Sequence, residues 1–438
     1  MNRLVLVWEK LRSSLWFTPA LMVAAAVALA VGLIQVESPE GAGRLAARWP
    51  RVFGAGAEGS RGLLSAIASS MITVAGVVFS ITVVALTLAS NQYTPRILRN
   101  FMRDRPNQLV IGVLMGVFAY CLVVLRTIRG GEDGVFVPGL AVLGAVLLAF
   151  VAIGFLVFFI HHVAESLQAT RIVESVADET LEAVDRLFPD PAGDEPEQAL
   201  SGDGRDLSGA AAWVSLPAHR SGYLQAFDTA ALLELAREEG VVVRMEKQIG
   251  EFVIQGCPLA SISNRPLHER LVQRLNAVCS LGRYRTVEQD AGYGIRQIVD
   301  IALKALSPGI NDTTTAINCV DYLATILARL VDRSIAAPLH REDGHLLLIT
   351  RDPTFAGLVA VAFDQIRQNA AGNTAVLGRQ LEVLATLRAL APNGERVEVL
   401  RGHERLIVET VDRTVPSAHD RARLRERAGV SGLSGTAG

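Results

Sequence analysis

"SSMITVAGVVFSITVVALTLASNQYTP" (residues 69–95) is uncharged and dotted with hydroxyl side chains. How it is read decides the fold. A helix needs about 20 mostly apolar residues to cross a bilayer. Extended back to Leu63, this stretch exceeds that length and carries no charge as far as Gln92. Turned at about 100° per residue, as in an α-helix, most of the hydroxyls fall into one stripe. With Ser69 at zero, Gly76, Ser80 and Thr87 lie within about 20° of it, and Ser65, Thr73 and Asn91 within about 40°. The other side is rich in Val, Ile and Leu, and Ser70 and Thr82 fall off the stripe. Two readings stand. Small and hydroxyl residues let membrane helices approach closely and bond across. The same face could instead line a water-filled path, since polar surface is poorly placed against lipid. The two coexist in a homo-oligomer whose stripes meet around an axis.

The rest of the chain fits a membrane protein in its first third and a soluble one after it. Half of the 438 residues are hydrophobic and the mean hydropathy is +0.33. Four apolar segments qualify as spans, at 15–36, 63–92, 108–125 and 135–160. The first is longer than the ~7–15 residues of a signal-peptide core, so it reads as a retained helix. Arg3, Lys10 and Arg12 precede span one, and Arg96, Arg99, Arg103 and Arg105 crowd the loop between spans two and three. Basic loops stay inside, so both termini are expected in the cytoplasm. Around a pore the same four arginines would ring the inner mouth. The topology rule alone also accounts for them.

Residues 161–188 continue with helical composition, Val173, Val176, Thr180, Val184 and Leu187 marking one apolar face, and predict a stalk running on from span four. Residues 189–210 are acidic and rich in Pro and Gly, as in a flexible linker. Residues 211–264 alternate short strands with one helix, for which Asp228 is the expected N-cap. This order suggests a small β-barrel-like subdomain. Residues 265–430 are mainly helical, with one strand-like insert at 345–350, and 431–438 read as a disordered tail. The expected fold class is therefore an α-helical membrane protein, with four transmembrane helices at 1–160. An α+β cytosolic domain follows, comprising the barrel-like subdomain and a helical C-terminal part.

Three stretches carry a resemblance: "YTPRILRNFMRD" after span two, "GEFVIQGCPL" at 250–259 and "ALSPGINDTTTA" at 305–316. Together with the four-span layout, the chain resembles a bacterial family of predicted membrane proteins, domain of unknown function twenty-two fifty-four (DUF2254). The resemblance implies a multi-pass protein of the bacterial inner membrane and supplies no catalytic residues. The hairpin at 250–259 also looks like that of biotinyl and lipoyl carriers. Lys247 lacks the Met-Lys-Met setting of a carrier lysine, so no such group is expected.

Motifs of chemistry are sparse. There is no GxSxG, HExxH, P-loop or paired CxxC, and "AGYGIRQ" holds two glycines without a GxGxxG. No enzyme activity, cofactor, metal or nucleic-acid partner is expected. The expected partners are the lipid bilayer, further copies of the chain, and an ion or small solute. In "SPGINDTTTA", Pro308 and Gly309 end one helix and Asn311 or Asp312 caps the next. An anion at that helix start is the competing reading, and the Asp312 carboxylate argues against it. Asp290, Arg296 and Asp300, with Asn311 and Asp312 nearby, are candidates for a polar network between paired helices. The function that follows is an oligomeric, channel-like membrane protein; the alternative is a non-conducting scaffold or sensor.

Overall fold

The computed structural model describes residues 16–36, 56–92, 105–129, 136–166, 168–188, 213–263, 266, 268–335, 339–342 and 345–429. The chain divides into two compact units, Met1–Arg171 and Ile172–Gly438.

In the first unit, four helices are long and apolar enough to cross a membrane. They are α1 (Phe17–Val36), α2 (Gly56–Gln92), α3 (Arg105–Thr127) and α4 (Gly139–Ser166). Helix α3 is central, packing against the other three. Its approach to α1 depends on two glycines one turn apart. A Cβ at Gly112 would stand 2.6 Å from Met22 Sδ, and one at Gly116 3.4 Å from the Ala26 Cβ. Small residues at this spacing are how helices pack closely where there is no hydrophobic force to drive them together. Polar bonds add to the seam. Thr18 donates to Gln108 at 3.0 Å, and the buried Tyr120 hydroxyl donates to the Ala141 carbonyl at 2.8 Å. Arg61 near the start of α2 donates to the Ile128 carbonyl, just past the end of α3, at 2.9 Å. At about 1.5 Å per residue, the 37 residues of α2 run for roughly 55 Å, well beyond a ~30 Å hydrocarbon core.

The expected stalk is not one helix with span four. Helix α4 ends at Ser166, and a separate helix, α5 (Ala169–Leu187), follows. Its buried face holds Val173, Val176, Thr180 and Val184, as the spacing predicts. The linker at 189–210 lies outside the described residues.

The second unit continues with β1 (Trp213–Pro217), β2 (Gly222–Phe227), α6 (Thr229–Glu239), β3 (Val243–Met245), β4 (Phe252–Val253) and β5 (Pro258–Ser263). Next come α7 (Glu269–Val278), β6 (Cys279–Gly282), α8 (Ala291–Ala305), α9 (Thr313–Leu330), β7 (Leu339–Glu342) and β8 (His345–Ile349). Four helices close it: α10 (Phe355–Asn369), α11 (Thr374–Leu390), α12 (Gly394–Thr414) and α13 (Ala418–Arg427). Asp228 caps α6 as expected, accepting from the Ala231 amide, and Gly240 ends it in the left-handed region at φ 63°.

The strands form two open sheets, ordered β1-β5-β3-β8-β7 and β4-β2-β6. The barrel-like subdomain expected at 211–264 is therefore not closed among the described residues. Strand β3 takes β8 as a parallel partner, with Val243 opposite Leu348, and β2 takes β6, with Phe227 opposite Cys279. Both partners come from the region read as mainly helical, so residues 211–264 do not complete a sheet alone. One core, including Leu216, Leu224, Leu235, Ile262, Leu275 and Leu348, joins strands and helices from both regions. Beyond it, α8 packs against α9 and α10, α11 against α9 and α12, and α13 against α11.

Candidate functional site

Helix α2 is α-helical through the whole predicted stripe. Leu64, Ala68, Met71, Ala75, Val78 and Ala85 are buried against the other membrane helices. Ser65, Ser69, Thr73, Gly76, Ser80 and Thr87 are all exposed. The centres of these two faces are about 150° apart at helical spacing. The hydroxyl face thus points largely away from the membrane helices α2 packs against, and a Cβ built on Gly76 would meet nothing within 4 Å. Among the described residues, the stripe is not buried against the chain's other membrane helices. Thr73 Oγ1 donates to the Ser69 carbonyl at 2.8 Å, and Thr87 Oγ1 to the Val83 carbonyl at 2.9 Å. Such bonds to the preceding turn satisfy a hydroxyl donor without water and leave its lone pairs facing out. The side chain of Asn91 lies outside the described residues. So do Arg96, Arg99 and Arg103 and the side chain of Arg105, which begins α3.

The candidate polar residues of the second unit occupy three places. Asp290 is buried and caps α8, accepting from the Tyr293 amide at 2.9 Å. Its partner is Arg285, which donates to Asp290 Oδ2 from Nε at 3.0 Å and from Nη2 at 2.8 Å. Arg285 also lies over the Tyr293 ring, 5.0 Å from its centroid. Burial pushes the Asp290 carboxyl up, against the opposing pull of Arg285. Arg296 pairs with Asp300 at 2.8 Å, one turn along the same helix. The sequence reading missed Arg285. The signal available was a cation five residues ahead of a helix-capping aspartate.

Gly250, the first residue of "GEFVIQGCPL", explains part of that motif. It sits at φ 89°, and a Cβ there would stand 2.3 Å from Asp290 Oδ2 and 2.8 Å from Arg285 Nε. Only glycine lets the turn adopt this backbone and press on the ion pair.

At "SPGINDTTTA" the cap is Asp312. It accepts from the Thr315 amide at 3.0 Å and the Thr315 hydroxyl at 2.6 Å. Asn311 takes the left-handed conformation at φ 50°, which asparagine tolerates better than most residues. The Thr315 hydroxyl and amide lower the Asp312 carboxyl's pKa, against a smaller effect of burial. A depressed carboxylate stabilises the fold above its unfolded pKa of about 3.9, and that contribution fades as pH falls through the lower folded value. Asp312→Ala is expected to cost about 1 kcal/mol at neutral pH, as losing a cap does. The difference from the native chain should shrink in acid, in unfolding curves taken across pH.

Comparison with known proteins agrees with this layout. The family model described as predicted membrane protein (DUF2254) matches residues 12–386. An uncharacterized protein of Mycobacterium bovis is 33% identical over 436 residues, covering 96% of this chain and 81% of its own length. An uncharacterized protein of Mycobacterium tuberculosis strain H37Rv matches with the same identity and coverage. No solved structure matches the chain.

Proposed function

The chain belongs to the DUF2254 family of predicted membrane proteins, and from that premise we propose that it is a homo-oligomeric, channel-like protein of the bacterial inner membrane. Helix α2 stands near the symmetry axis, and its hydroxyl face lines a path for an ion or small solute. Both termini lie in the cytoplasm, where the second unit assembles or gates the pore. The observation that supports this reading is the outward turn of the α2 face, away from the packed one. Facing lipid, seven turns of small and polar positions gain nothing from the hydrocarbon. Facing copies of themselves, they pack closely and can hold water between them.

A second reading has its own support. Thr73 and Thr87 already bond to their own helix, so the face can serve as a dry contact between copies in a non-conducting scaffold or sensor. Purified protein in planar bilayers separates the two. Under the pore reading, Ser80→Leu and Thr87→Leu leave the oligomer intact and lower unit conductance severalfold. Absence of conductance under any voltage, tension or pH removes the pore reading. Loss of association in the leucine variants, seen by light scattering, supports the scaffold.

A further inference from the structure

A cavity of about 220 Å³ lies within the second unit. Its wall is assembled from distant pieces of sequence: the end of α5, the end of β2, the turn after β3, the cap of α8 and the segment around β7 and β8. Two carboxylates line it, and they differ. Asp290 has a fixed counter-charge in Arg285. Asp352 accepts a hydrogen bond from the Thr350 hydroxyl, which is itself 3.5 Å from His340 Nε2. Arg351, beside it in sequence, is instead tied to the Glu246 carbonyl at 2.9 Å. Burial pushes the Asp352 carboxyl up, against smaller opposing effects of Thr350 and His340. Asp352 is half-buried, and a carboxylate partly removed from water without a full cation partner gains from a cation brought in from outside.

The apolar part of the wall includes Phe188 and Phe227, which are buried. Aromatic faces beside a carboxylate are the chemistry that recognises an ammonium group. Among the described residues no group of three His, Cys, Asp or Glu side chains could hold a metal ion, so the cation is not read as a metal. The volume is below the ~300–1,000 Å³ of pockets for drug-sized ligands.

We propose that this cavity is a binding site for a small organic cation, an alkylammonium whose nitrogen pairs with Asp352 and whose carbon chain lies against Phe188 and Phe227. The site stands independently of whether α2 conducts. Isothermal titration of the full-length protein in detergent tests it, with putrescine and methylammonium as probes and glycerol and acetate as references. Saturable binding of putrescine at one site per chain is expected, weakened roughly 30-fold or more by Asp352→Asn, as for loss of one partner of a desolvated charge pair. Gln248→Glu adds a third carboxylate at the wall and should tighten binding severalfold. That variant decides the matter if Asp352→Asn does not fold. The proposal is overturned by three results: no saturable binding of either amine, affinity unmoved by both variants, or glycerol or acetate binding as tightly as putrescine.

Discussion

Gly294→Ala is expected to lower the melting temperature of the protein by roughly 4–10 °C, at about 2–4 °C per kcal/mol for a unit of this size. In an exposed helix the same change would stabilise by up to about 1 kcal/mol, because alanine is the better helix former. Here the sign reverses. Gly294 lies in α8 where α5 comes closest, and a Cβ would stand 1.9 Å from Thr180 Oγ1 and 2.8 Å from Thr180 Cγ2. Thr180 cannot easily yield. It is fully buried, its hydroxyl donates to the Val176 carbonyl at 2.6 Å, and a β-branched side chain in a helix has few rotamers. The helices must therefore separate, and overpacking of this kind costs about 1–3 kcal/mol or more. Thr180→Ala removes the two nearest atoms and leaves the Thr180 Cβ at 2.9 Å, so the double variant should recover part of the loss. Thermal unfolding followed by circular dichroism gives the result. A single variant that melts like the native chain, or a double variant no better than the single, would show that close approach is not the reason for this glycine.

That example also marks how far the sequence could be read. The two glycines of "AGYGIRQ" look like punctuation or a weak nucleotide loop, and nothing local reveals that Thr180 lies opposite, more than a hundred residues away. Features with a short repeat were legible. The apolar face of α5 and the Asp228 cap each depend on neighbours within a turn or two, and each appears as expected. Features set by distant pairing were not. β6 follows an amphipathic helix without a break and reads as its last turn, and only β2 makes it a strand. The barrel was expected because residues 211–264 contain enough strands for one, but β3 pairs with β8 across the sequence of three helices. The cavity beside Asp352 shares this property, since its wall is drawn from five parts of the chain and no two of its carboxylates are neighbours in sequence.

The other large effect expected is that of Arg396→Met. Arg396 is 4% exposed, yet it carries a charge into the helical part of the second unit. From α12 its guanidinium reaches the end of α9 and donates to the carbonyls of Leu330 at 3.2 Å, Val331 at 2.6 Å and Arg333 at 2.8 Å. A helix C-terminus leaves such carbonyls without intrahelical partners and gathers partial negative charge, so a fork of donors suits it. The Phe355 ring of α10 lies 5.1 Å beneath the guanidinium and adds an aromatic face. Arg333 extends the connection, pairing with Asp185 at 2.7 Å and donating to the Phe188 carbonyl at 2.7 Å. One arginine thus fixes where α9 ends against α10 and α12, and the next ties that end to α5. Methionine fills much of the volume but takes the Arg396 donors from the buried carbonyls of Val331 and Arg333, at about 1–3 kcal/mol each, while the Leu330 carbonyl keeps the Arg333 amide at 3.2 Å. A loss of at least about 2 kcal/mol is expected, and a fall in melting temperature of roughly 4–8 °C or more. Arg396→Lys should recover only part of it, because one ammonium cannot reproduce the planar fork that reaches all three carbonyls. Hydrogen exchange at the last turn of α9 should rise in both variants, more in the methionine one. If Arg396→Met melts within about 2 °C of the native chain, water or neighbouring groups satisfy those carbonyls instead, and the arginine is not the clasp that holds these helices together.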